Sequence, residues 1–117
     1  MLKTIAGIVN NCPKLEVFDL SFLKTNNLTT MASAFRDCIA LTGVELTNLN
    51  TYKVANMNSM FNGDVALEHI YVDEGWTTDA VVASVDMFKN CSKLPNFDPA
   101  KTDKTHAKIG EYLEKGD

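Results

Sequence analysis

Three cysteines and two histidines are the side chains of this sequence best suited to attack a carbonyl, carry a proton or hold a metal. Cys12, Cys38 and Cys91 are separated by 26 and 53 residues, so none forms the CxxC spacing of a zinc site. His69 and His106 are the candidate bases. Catalytic triads assemble from distant positions, so chain order alone does not exclude one. Yet no G-x-S-x-G elbow, H-E-x-x-H helix or phosphate-cradling glycine loop is present. Nor is there an EF-hand or a glycine–aspartate calcium repeat. The expectation is a protein that is not an enzyme, with no cofactor and no metal.

The cysteine spacing has another meaning. Leu15, Leu41, Leu67 and Leu94 step by 26, 26 and 27 residues, and Val9, Phe35, Phe61 and Phe88 take the same steps. Leu20, Leu46 and Val72 keep the period, as do Ile5, Met31 and Met57, and Thr25, Thr51 and Thr77. Asp64 stands where a fourth cysteine would fall. The chain is a repeat array. Its repeats run about 2–27, 28–53, 54–80 and 81–99, with one residue inserted within "DEGWTTDAV". A charged tail or cap follows over 100–117.

Each unit opens on a short strand: "LEVFDLS", "LTGVELT" and "LEHIYVD" alternate apolar and spacer positions. Strands are expected near 17–21, 43–47 and 69–73. A polar stretch leads to "LTTMASAFRDC", "VANMNSMFNGD" or "VASVDMFKNC". Their apolar residues recur at intervals of three and four, which predicts helical turns near 28–36, 54–62 and 81–89. No single unit buries its own apolar face, so the units must stack. The fold class predicted is α/β, a leucine-rich-repeat-like solenoid of about 3.5 repeats. Short parallel strands line one face and helical segments the other. Met31, Met57, Met60 and Met87 then belong to the core. The cysteines read as small buried hydrophobes, because stacked Cβ atoms point the same way and resist disulfide geometry. Their redox state stays open. Trp76 is expected to fill the gap at Gly75, which falls where Leu23 and Leu49 sit in earlier units; the alternative is a binding hot spot. The first segment, Leu2 to Val9, is expected to be uncapped on its outer side, with fraying or self-association there.

The strand spacers carry the candidate function. Asp19, Glu45, Tyr71 and Asp98 share one column, while Glu16, Glu68 and His69 stand beside it. The candidate protein-binding face is therefore Glu16, Asp19, Glu45, Glu68, His69 and Tyr71. The alternative is an ordinary solvated sheet face. A net charge of −4 argues against a nucleic-acid partner. No apolar run is long enough to insert in a membrane.

The pieces "FDLSFLKTNNLTTMASAF" and "VELTNLNTYKVANMNSMFNG" resemble the BspA-like leucine-rich repeat surface proteins of bacteria. The shared motif is Met-x-x-Met-Phe-x-x-Cys-x-x-Leu. The third unit resembles that family's C-terminal variant, with its Trp-Thr-Thr, and the tail its closing segment with a Thr-His pair. Two departures are Asp64 in the cysteine column and "IGEYLEKGD" in place of a Gly-Gly-Tyr-Phe ending. The resemblance implies a non-enzymatic module, secreted or at the cell surface, that adheres to a host or bacterial surface protein. The expectation that goes with it is an excerpt of a longer exported protein, with Met1 added; the rival account is a small cytosolic protein. The alternative function is a structural stalk with no ligand of its own.

Overall fold

The computed structural model describes residues 2–116. Met1 and Asp117, at the ends of the expected first repeat and tail, lie outside the described residues. Three strands occur where alternation places them: β1 (Val17–Asp19), β2 (Gly43–Glu45) and β3 (His69–Val72). A fourth, β4 (Glu114–Lys115), comes from the tail. All pair parallel, in the order β1-β2-β3-β4. The register holds the 26-residue period: Phe18 lies beside Val44, and Val44 beside Ile70. The first three strands are shorter than expected. After β1 the Asp19 carboxylate accepts the Ser21 N–H at 2.7 Å, and Leu23 N–H bonds back to Leu20 C=O at 2.9 Å. That turn ends the strand.

The expected helical segments are not helices. The described residues contain no α-helix, only one 3₁₀ turn at Lys104–His106. A helix needs its N–H groups directed four residues back along its own turn. Here alternate N–H groups leave for the next repeat: Met31 to Asn56 C=O, Ser33 to Asn58, Phe35 to Met60 and Asp37 to Asn62, at 2.8–2.9 Å. The remaining ones close tight turns, such as Ala34 N–H to Met31 C=O at 3.2 Å.

Left-handed residues enforce this pattern. Gly7, Ser33, Ser59 and Asp86 have φ between 55° and 64°, and Asn11, Asp37, Gly63 and Asn90 between 59° and 87°. A positive φ every four residues breaks a right-handed helix, and glycine, Asn and Asp bear it best. The resulting turns repeat about every four residues, close to the helical 3.6. Met31 and Phe35, like Met57 and Phe61, thus still face inward. The apolar spacing is real, but its cause is a run of turns.

Asp98, expected in the spacer column, lies in no strand of the described residues. Pro95 and Pro99 flank "NFD", and each lacks an N–H for a ladder. Asn96 turns left-handed at φ 53°. The place beside β3 goes instead to β4, with Tyr71 opposite Glu114 and Val72 opposite Lys115. The fourth member of the spacer column is therefore Glu114, and not Asp98.

The core is a set of columns. Phe35, Phe61 and Phe88 stack at 5.5 Å with nearly parallel rings. Phe18 meets one end edge-on at 5.8 Å, and Tyr112 the other at 5.1 Å. Leu41, Leu67 and Leu94 are buried, while Leu15 in the first repeat is only half-buried. Leu2 and Ile8 on that outer side are exposed, though Ile5 is buried. With only four strands the assembly is about as wide as tall, 32 × 28 × 25 Å, a compact globule. Truncation of Phe61 to Ala should cost about 3–5 kcal/mol in urea unfolding. A loss below about 1 kcal/mol would mean that the column does not carry the fold. Far-ultraviolet circular dichroism should lack a helical signature, and a strong 222 nm minimum would contradict the turn assignment.

Candidate protein-binding face

Strand alternation sends Phe18, Val44 and Ile70 inward and their neighbours outward. Two outward rows result. One is Val17, Gly43 and His69; the other is Asp19, Glu45, Tyr71 and Glu114. Glu16 and Glu68 stand just before β1 and β3 and are exposed. The repeat period links them through Thr42: its N–H bonds Glu16 C=O at 2.8 Å, and its C=O accepts Glu68 N–H at 3.0 Å. All six candidate residues thus lie on one side of the sheet or at its entrance. Asp19, Glu45 and Tyr71 are brought into direct register; Glu16 and Glu68 sit outside the ladder.

His69 is exposed, and Nδ1 donates to Glu114 Oε2 at 2.6 Å, since a carboxylate only accepts. Its ring stacks on Tyr71, centroids 5.7 Å apart and planes within 10°. Glu114 is the residue that the repeat reading missed, because β4 comes from outside the repeats. Gly43 lies between Val17 and His69, and an added Cβ there would meet nothing nearer than His69 C=O at 3.9 Å. The centre of the face is thus a shallow step beside two stacked rings. Asp19, Glu45 and Glu114 share the outward row with Tyr71, and Glu16 and Glu68 are exposed at the strand entrances. Asp19 is held below the ordinary carboxylate range by hydrogen bonds from the side chain and backbone of Ser21.

The other chemical groups do not converge on a reaction centre. His106 pairs with Glu111 at 2.5 Å, and its ring packs near Tyr112. Among the described residues neither histidine ring hydrogen-bonds a Ser, Thr or Cys. Nor do the described residues group three or more metal-ligating side chains. Trp76 packs against the core and donates from Nε1 to Ala107 C=O at 2.9 Å. The close approach of Leu49 C=O and Asn50 to Gly75 leaves no room there for a side chain. Tyr112 OH donates to Lys101 C=O at 3.0 Å and accepts the Asp98 N–H at 2.9 Å, so it ties down the tail.

The cysteines are free thiols. Cys38 and Cys91 are buried, and each donates to the carbonyl of an earlier repeat, Val9 and Phe61, at 3.0 Å. Burial pushes both thiols above the usual range.

Parallel units at a 26-residue offset, with one outward acidic face, define this chain as a repeat protein. The family model described as "Mycoplasma protein of unknown function, DUF285" matches residues 3–112, and the chain belongs to that family. No curated protein and no solved structure matches. Under native conditions a thiol reagent should label Cys12 quickly and leave Cys38 and Cys91 until unfolding. Rapid native labelling of all three would contradict the buried column.

Proposed function

We propose that this chain is a non-enzymatic protein-binding module of the BspA-like kind, built as a short leucine-rich-repeat-like solenoid. In this reading it works as part of a secreted or cell-surface protein and adheres to a host or bacterial surface protein. The observation that carries the reading is the stacked His69–Tyr71 pair on a face whose outward row also holds Asp19, Glu45 and Glu114. Like charges on neighbouring strands are unfavourable for the sheet itself. Their concentration on one face is what a partner with Lys or Arg side chains would use. Exposed charges steer encounter and set specificity. A central aromatic supplies most of the affinity. The Gly43 step gives a protruding side chain room to reach the flank of the rings.

The test is capture of a surface or matrix protein, followed by kinetics with variants. Tyr71→Ala should quicken dissociation by about tenfold, equivalent to about 1.4 kcal/mol. Asp19→Asn with Glu45→Gln should slow association and flatten its dependence on salt. Gly43→Gln should weaken binding by filling the step, while its melting temperature stays near the parent's. A partner that binds every folded variant as it binds the parent would remove the face from consideration and favour the stalk.

A further inference from the structure

The third position of the cysteine column holds a carboxyl group where its neighbours hold thiols. Asp64 is fully buried, with no exposed surface. Its Oδ1 accepts the Cys38 N–H at 2.8 Å, and its Oδ2 has no partner among the described residues. The titratable groups that bear on it are Asp37 and Cys38 from the second repeat and Cys91 from the fourth. No Lys or Arg is among them. An ionised carboxylate would therefore be buried without a counter-charge, at heavy cost.

The column supplies a better state. Cys38 and Cys91 each donate to a carbonyl 29 or 30 residues earlier. The matching carbonyl for Asp64 is that of Phe35, which no described donor reaches. An orphan acceptor and an orphan carboxyl oxygen thus occupy corresponding places. We propose that Asp64 is a proton-dependent clasp between the second and third repeats. The neutral acid accepts the Cys38 N–H through Oδ1 and donates from Oδ2 to the Phe35 carbonyl, and loss of that proton loosens the stack. The inference rests on the repeat stack and is independent of the binding face.

Burial first, with Asp37 adding to it, moves the Asp64 carboxyl from 3.8 up to about 8. The folded state then holds one more proton than the unfolded chain between those two values. Stability from this group is complete below the unfolded value. It falls as pH rises through the window and levels off above the folded value.

The experiment is urea unfolding of the parent and Asp64→Asn from pH 4 to 9. Asn keeps both an acceptor and a donor but has nothing to titrate. The parent-to-variant ratio of unfolding constants should rise by about tenfold per pH unit between about pH 5 and 7. A flat ratio overturns the clasp. A second measurement needs no variant: the ¹³C-carboxyl resonance of Asp64 in the folded parent. A neutral-acid shift at pH 6 supports the proposal, and an ionised shift there overturns it, even if Asp64→Asn fails to fold.

Discussion

Everything in this molecule depends on backbone N–H groups of one repeat reaching carbonyls of the next. They do so on both sides of each repeat. On one side, β1, β2 and β3 pair in strict 26-residue register. On the other, the turn run of each repeat hands alternate N–H groups to its successor. A second parallel series of bridges, Thr4 to Thr30 to Asn56 to Ala83, marks where that ladder begins. A buried amide without a partner costs free energy comparable to a lost hydrogen bond. The repeats therefore cannot slip against one another without breaking both ladders. The Phe35–Phe61–Phe88 column follows from this register, since equivalent residues must lie above one another. The one inserted residue falls between Val72 and Val81, where the chain leaves the strand and turns through Glu74 and Gly75.

The sequence made the strand columns legible because period-two alternation and a fixed repeat length agree. It misplaced the helices because two structures share nearly one apolar spacing. The discriminating signal was present in the polar residues. In "SAFRD", "SMFNG" and "DMFKN" a Ser, Asp, Asn or Gly stands at both ends, four residues apart, and these ends carry the positive φ. A helix has no reason to place such residues at that interval; a run of turns requires it. β4 was illegible for a different reason. It belongs to no repeat, and its two residues gain their place only from the open edge of β3.

The candidate face was legible to the same depth. Spacers on successive strands had to share a surface, so Asp19, Glu45 and Tyr71 followed from register alone. Their relation to Glu114 required knowing where the tail returns. That return also explains the ends of the core. Tyr112, just before β4, lays its ring edge on Phe88 and closes the column, with its hydroxyl bonded to the chain over Asp98 and Lys101. The tail thus covers that end of the phenylalanine column. Its terminal strand brings Glu114 to His69 as a consequence of covering the core.

Face and core are separated by the pleat, and this sets what each can vary. An outward side chain such as Val17 or His69 takes no part in the backbone ladders, so its chemistry is free to change without disturbing them. An inward residue is bound by the column above and below it. Asp64 tests that limit. A column of thiols accepts a carboxyl group only if the newcomer offers a donor and an acceptor in the same directions and carries no net charge. A neutral carboxylic acid meets both conditions, and an aspartate anion meets neither. The departure that makes this repeat array unlike its own pattern is thus placed where the stack itself selects the protonation state.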